Sequence, residues 1–307
     1  MEEKKMPKEE FRYYEMPVGR YDLALLGEKW ITTYCTEIQH FHNYFEVGFC
    51  HYGSGIVYLG EGYQPYQKGT ISLIPGNFPH GVHSAKGSTC FWEFLYIDLY
   101  GFIEKCYAKD PYAKAQTLQN ILNVPVLIAS EEYPMLSNVI TAILEENREQ
   151  REWDREAVNG YLYVFLQELI RLNDSTSAGH APYSAYAEKI RPALLFIEEH
   201  YAEKLKISEL AAICHISETY FRRIFAECIH LSPLEYINNI RIQKACRFLL
   251  KEDISMHTLA WKVGFSSVST LERNFGKIVG ESPKQWKLKQ RSETGFVNYN
   301  IKALKGW

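Results

Sequence analysis

The sequence predicts an α+β chain in two parts. An N-terminal β-barrel with two tail helices comes first, then an all-α C-terminal domain with two helix-turn-helix units joined by a linker helix. Three observations lead there. Short β-branched and aromatic segments between residues 21 and 100 are punctuated by Gly and Pro. One helix-turn-helix pattern occurs twice after residue 205, at an offset of 49 to 50 residues. Charge also divides the chain: residues 181–307 hold 19 Lys and Arg against 13 Asp and Glu, whereas residues 1–180 hold 15 against 24. Only the basic part is suited to meet a polyanion.

The whole chain of 307 residues carries a net charge of −3, with 46% hydrophobic and 23% charged residues. This is globular composition and excludes a disordered chain, collagen or a mucin-like stalk. No apolar run is long enough to span a bilayer, and the charged residues 1–10 contain no signal-peptide core, so no membrane role is expected. The seven Cys are scattered without a C-x-x-C pair. That usage fits a reduced, cytoplasmic protein whose thiols are mostly small core residues.

In chain order, segments 30–34, 45–49, 55–59, 70–74 and 90–97 read as strands, separated by Gly53, Gly60, Gly62, Gly69, Pro75, Gly76 and Pro79. Many short strands with such turns predict a sandwich or barrel. Residues 131–150 then carry Leu136, Val139, Ile140, Ile143 and Leu144 at helical spacing, and 152–172 carry Val158, Leu162, Phe165, Leu166 and Leu169. These stripes can pack on the barrel, on each other or across a dimer; they exceed what two helices need to cover each other, which predicts a homodimer through residues 1–175 with Leu162, Phe165 or Leu169 near its interface. The stretch 173–182, small and polar, reads as a linker.

One barrel constellation can carry chemistry. His40 and His42, two apart on a strand, share a face; Glu46 keeps that parity, and His80 follows the turn after Pro75. Three imidazoles and a carboxylate can hold a divalent ion such as Zn or Ni, or hydrogen-bond a polar ligand. His51 and His83 read as surface or strand-edge residues. The motifs His40-x-His42-x3-Glu46-x6-Gly53 and Gly69-x5-Pro75-x4-His80 resemble those of the cupin family, with Asn77 where the second motif prefers Gly. The resemblance implies a barrel whose interior binds a metal, a small molecule or both. The aromatics Tyr44, Tyr58, Tyr63, Tyr66, Phe78, Phe91, Trp92, Phe94 and Tyr96 supply rings that could stack on a carbohydrate or simply fill the core. Trp92 joins His40, His42, Glu46 and His80 as a candidate effector contact.

In the C-terminal repeat, Leu210-Ala211 recurs as Leu259-Ala260. Ser217, Phe221, Phe225 and Ser232-Pro233 recur as Ser267, Leu271, Phe275 and Ser282-Pro283. In the first unit Ser208 is expected to cap a helix through Cys214. Ser217 caps a second over 218–228, with Phe221, Ile224, Phe225 and Cys228 buried. In the second unit 256–263 is the first helix, and Ser266 or Ser267 caps another that buries Leu271, Phe275 and Ile278. Each second helix leaves a short polar row outward, as reading base edges in a major groove requires. The connector 234–251 spans about 27 Å as a helix, against about 34 Å for a DNA turn.

Several stretches carry a further likeness: Ser217-Glu-Thr-Tyr-Phe221-Arg-Arg-Ile-Phe225, Arg241-Ile-Gln-Lys-Ala245, Leu259-Ala260-x-x-Val263-Gly264-Phe265-Ser266-Ser267 and Gly280-Glu-Ser-Pro283-Lys-Gln-Trp286. They resemble the AraC/XylS family of bacterial transcription regulators over residues 187–290. Thr270-Leu271 and Trp286-Lys287 depart from the usual residues but keep an apolar anchor and a positive charge. The resemblance implies a cupin-like effector-sensing barrel over 1–130, a helical dimerisation region over 131–173 and a linker over 174–184. It further implies a double helix-turn-helix DNA-binding domain over 185–291, followed by a tail over 292–307. It implies promoter DNA, a small-molecule effector and RNA polymerase as partners, no catalysis and no required cofactor. It puts base contacts on Thr219, Arg222, Arg223, Val268, Ser269, Glu272 and Arg273. The competing expectation is a cupin metalloenzyme, of isomerase or dioxygenase type, with a helical appendage.

Overall fold

The computed structural model describes residues 9–12, 14, 16–17, 19–35, 39–60, 62–121, 125–176, 182–229 and 231–292. Residues 177–181 of the predicted linker and all of the tail beyond residue 292 lie outside these. The chain divides into two compact units, chiefly 16–184 and 185–307.

The chain up to residue 129 carries eleven strands among the described residues: β1 (Glu9–Arg12), β2 (Asp22–Leu25), β3 (Ile31–Thr32), β4 (Gln39–His42), β5 (Phe45–Tyr52), β6 (Gly55–Leu59), β7 (Gly62–Tyr66), β8 (Thr70–Ile74), β9 (His80–Ser84), β10 (Cys90–Ile97) and β11 (Val126–Ala129). They form two antiparallel sheets, ordered β1-β4-β9-β6-β7 and β11-β8-β5-β10-β2, with β3 on the end of β10. The sheets face each other. Tyr66 of one meets Trp92 of the other edge to face at 4.9 Å, and His80 of one lies 3.4 Å from Glu46 of the other. Gly53 makes the closure possible at the β5–β6 turn. Its φ is +97°, and its Cα abuts Cys90, so a side chain there would collide with the Cys90 backbone at 2.7 Å. Asn77, standing in place of the expected Gly, adopts φ +66°, the left-handed turn conformation that Asn tolerates better than most residues.

Helices α1 (Leu99–Cys106) and α2 (Pro111–Asn120) follow the barrel, then α3 (Pro134–Glu149) and α4 (Asp154–Thr176). Sequence periodicity missed α1, α2 and β11. The first two are announced by Asp98 and Asp110, whose carboxylates accept from Gly101 N–H and Ala113 N–H as N-caps. The stripes of α3 and α4 are consumed within the chain. Leu162, Phe165 and Leu169 are fully buried, and Phe165 packs edge to face on Phe45 of β5. That corrects the expectation that they lie at a dimer interface; the exposed residues of α4 among those described are Arg155, Glu156, Gly160, Tyr163, Val164 and Arg171, of which Tyr163 and Val164 are the large apolar ones. Helix α4 also runs to Thr176, and α5 (Pro182–His200) begins inside the stretch read as linker.

The second unit continues from α5 with α6 (Ile207–Ile213), α7 (Glu218–Ile229), α8 (Pro233–Lys251), α9 (Met256–Lys262), α10 (Val268–Val279) and α11 (Pro283–Ser292). Helix α8 opens on a capping box, Ser232 accepting from Glu235 N–H while the Glu235 carboxylate accepts from Ser232 N–H. Ser208 is not a cap: α6 starts at Ile207 after Lys206, with no side-chain cap. Ser267, rather than Ser266, caps α10, and Val279 takes the buried place expected of Ile278.

Candidate functional site

Two places carry chemistry, one in each unit. In the barrel, β4 and β9 pair so that His40 lies opposite His80, their rings 4.4 Å apart. Glu46 sits on β5 between Ile74 and Tyr96. One ligand atom from each of His40, His42, Glu46 and His80 lies within 4.8 Å of the others. His42, Glu46 and His80 are buried and His40 is half-buried. The Nδ1–H of His80 donates to the Phe78 carbonyl at 2.8 Å, so in the neutral ring Nε2 presents its lone pair toward Glu46. The residues therefore fit a divalent metal. The donor span is about twice a metal–ligand bond of about 2.0–2.2 Å, and a backbone carbonyl fixes one ligand's tautomer from behind. The same atoms also fit a ligand rich in hydroxyls.

Trp92, carried forward as an effector contact, is wholly buried. It stacks on Phe94 at 6.0 Å and lies over Gly48, where a Cβ would meet the ring at 3.1 Å. Beyond it is a thiol cluster that sequence reasoning missed. Tyr66 and Ser84 hydroxyls donate to Cys90 Sγ at 3.1 and 3.2 Å. Burial would raise the Cys90 thiol, but the hydrogen bonds from Ser84, Tyr66 and Ser88 hold it below its ordinary value. Burial and the neighbouring Cys90 push Cys50 up to about 12.

The outer face of the same wall holds an ion network. Glu93 of β10 is 1% exposed. It accepts two hydrogen bonds from Arg148 of α3 at 2.8 and 2.9 Å, one from His51 at 2.9 Å, and one from Gly27 N–H at 3.1 Å. Burial opposes its ionisation, yet the hydrogen bonds from His51 and Arg148 hold its pKa below the ordinary carboxylate value. An acid inside the otherwise apolar run of β10 was the available signal. Its partners 42 and 55 residues away were not readable. His51, expected at the surface or a strand edge, is half-buried by this network and stacks on Phe91. A second group, Arg20 with Asp22 and Asp154, ties the start of α4 to β2.

In the second unit, α7 buries Phe221, Ile224, Phe225 and Cys228 and leaves Thr219, Arg222 and Arg223 exposed. Arg222 is held by Glu218 one turn back at 2.7 Å, and Arg223 by Glu227 one turn on at 3.2 Å. Helix α10 buries Leu271 and Phe275 and exposes Ser269, Glu272 and Arg273. Val268 is half-buried against the apolar core of the unit. Both helix pairs turn identically. His215 N–H donates to Ala212 O and Ile216 N–H to Ala211 O; Gly264 N–H donates to Trp261 O and Phe265 N–H to Ala260 O. A cleft of about 830 Å³ opens beside α10, lined by Lys204, Asn238, Arg241, Trp261, Arg273 and Lys277 among others. The two exposed rows are what direct base readout requires, polar side chains at the start of a helix with Arg within reach of guanine or phosphate.

Comparison with known proteins agrees with this division of labour. Residues 31–166 match the AraC-like ligand binding domain, and residues 210–289 match a helix-turn-helix domain. The chain is 25% identical over 259 residues to the transcriptional activator RhaS of Klebsiella pneumoniae (strain 342), covering 80% of this chain and 86% of that one. It is 29% identical over 143 residues to the melibiose operon regulatory protein of Escherichia coli (strain K12), 46% of each chain. Among solved structures, fatty acid-bound ToxT from Vibrio cholerae aligns over 87% of this chain and 93% of that one, at 14% identity and a TM-score of 0.45. The DNA-bound domain of AdpA covers 34% of this chain and 96% of that one, at 26% identity and a TM-score of 0.34.

Proposed function

The chain belongs to the AraC/XylS family of transcription regulators, and from that premise we propose that it is a cytoplasmic activator switched by a small polar molecule, of carbohydrate type, held in the barrel. The observation that carries the reading is the pairing of two parts in one chain. One is a buried cluster of His40, His42, Glu46 and His80 inside a ligand-binding barrel. The other is a pair of capped helices with exposed rows Thr219, Arg222, Arg223 and Ser269, Glu272, Arg273. Imidazole nitrogens and a carboxylate hydrogen-bond hydroxyls reversibly, which regulation needs and a committed chemical step does not. Val268 reaches a thymine methyl, Arg222 and Arg223 reach guanine or phosphate once they leave Glu218 and Glu227, and Arg273 does so directly. The regulator works as a homodimer through its first unit, with Tyr163 and Val164 of α4 as the apolar contact, and recruits RNA polymerase.

The second reading is a metal-dependent enzyme, favoured by the donor set alone. A bound Zn or Ni ion would be held by His40, His42, Glu46 and His80 and would supply Lewis-acid chemistry there. One experiment separates the two. The full chain is bound to a duplex selected from random sequence, with and without monosaccharides, Zn or Ni, or a chelator. The regulator reading expects specific, salt-sensitive binding that a sugar changes, and His42→Ala and Glu46→Gln that bind DNA but no longer respond. Loss of a stoichiometric metal in both variants, with a DNA response to chelation, would make the site a metal sensor. Turnover of a substrate with no specific DNA binding would overturn the regulator reading.

A further inference from the structure

Arg241 is a half-buried cation that hydrogen-bonds backbone carbonyls. It lies on α8, the helix joining the two helix-turn-helix units. Its Nε donates to the Tyr201 carbonyl and one terminal nitrogen to the Glu203 carbonyl, both at 2.8 Å. These carbonyls belong to the turn between α5 and α6, the entrance to the first unit. The guanidinium plane also lies 5.5 Å from the Phe265 ring in the turn of the second unit. The second unit presses on the same turn. The Cα of Gly264, at φ +86°, is so close that a side chain would meet the Tyr201 and Ala202 carbonyls at 2.7 and 2.8 Å. Lys244, one helical turn further along α8, reaches Glu198 at 3.2 Å and lies over the Tyr201 ring at 5.4 Å. Lys277 of α10 reaches Glu235 at the start of α8 at 3.2 Å. A planar fork with fixed donors suits a junction that must hold one angle, which a flexible ammonium does not.

We propose that Arg241 is a positioning residue that locks the second helix-turn-helix onto the 201–203 turn and so sets the spacing at which the chain recognises two DNA elements. The proposal rests on both units binding DNA. If the junction is rigid, the second element is bound at a high effective concentration only when its distance and helical phase match; a loosened junction accepts neighbouring spacings and gains less from any of them.

The test uses the full chain with Arg241→Lys and Arg241→Ala, and duplexes carrying the selected two-element site, each element alone, or both elements moved apart by one to five base pairs. Arg241→Lys should weaken binding to the native spacing by about tenfold, keep single-element binding within about twofold, and flatten the dependence on spacing. Arg241→Ala should do the same more strongly. A variant with wild-type dependence on spacing overturns the proposal, as does an equal loss on every duplex, single elements included, which is what partial unfolding would give. A wild-type chain indifferent to removal of either element overturns the two-unit premise along with the proposal, and that arm is read before any variant.

Discussion

The two helix-turn-helix units share a backbone but not the means of making it. Both turns close with the same pair of hydrogen bonds, and in both the residue after the helix cap is left-handed: His215 at φ +55° in the first, Gly264 at φ +86° in the second. Glycine adopts that conformation freely, whereas histidine is strained in it. Helix α9 is capped by Ser255 and α10 by Ser267, with Gly280 ending α10 at φ +85°. Helix α6 starts on Lys206 without a side-chain cap. The second unit is specified locally, residue by residue. The first keeps a cap only on α7, from Ser217, and holds its strained turn through packing, with Phe221, Ile224 and Phe225 as fully buried as Leu271 and Phe275 of the second. Duplicated function therefore does not require duplicated local signals, provided one copy has a core to lean on.

The largest test of this contrast is Gly264→Ala. The strained φ and the collision with two backbone carbonyls should destabilise the second unit by more than about 2 kcal/mol, read as an earlier transition in chemical denaturation. A milder loss would mean the turn is less tightly specified than its geometry implies. Next come the exposed rows. Arg273→Ala should weaken specific DNA binding by about 1–3 kcal/mol with the fold intact. Arg222→Ala should cost less, because its guanidinium must first leave Glu218. Fluorescence anisotropy on a selected duplex checks both, and equal losses would erase this part of the contrast.

The reverse change in the first unit is smaller. His215→Gly should stabilise by about 0.5–1 kcal/mol, the relief of left-handed strain exceeding the entropy lost by glycine. A lower thermal midpoint would refute it. The smallest effect is on pH. The hydrogen bond from Ser232, with Lys277 nearby, holds the Glu235 carboxyl below its ordinary value. A depressed carboxyl contributes stability above its unfolded value, and that contribution is lost as pH falls through and below about 4. The matching cap on α11 uses Ser282 with neutral Gln285, which does not titrate there. Glu235→Gln should thus remove a few tenths of a kcal/mol of acid sensitivity, visible in denaturation midpoints at pH 3.5 and 7.

The repeat was legible because its determinants are local. Ser, Gly and Phe at fixed offsets report caps, turns and buried faces within a dozen residues. The His/Glu cluster was legible in part: strand parity puts His40 and His42 on one face of β4, but Glu46 lies on β5 of the facing sheet and joins them across the barrel, not by parity. What sequence could not supply is long-range partnership. Nothing near Glu93 announces Arg148, and nothing near Cys90 announces Tyr66. The four apolar residues of β11 fit a strand or a helix equally, and pairing with β8 decides between them. The stripes of α3 and α4 were read correctly as apolar faces, but periodicity cannot tell a neighbouring sheet from a second copy of the chain.

The barrel wall is one strand thick where Trp92 and Glu93 sit side by side on β10. Trp92 points into the interior beside Phe94 and Tyr66, and Glu93 points out to Arg148 and His51. Successive residues of a strand share one peptide plane, so a tilt of that plane that moves the indole must move the carboxylate in the opposite sense. The rings packed against Trp92 are then only one peptide bond from the anchor of the helix outside. Interior packing and the outside anchor of α3 are thus neighbours in the chain, with no relay of side chains between them.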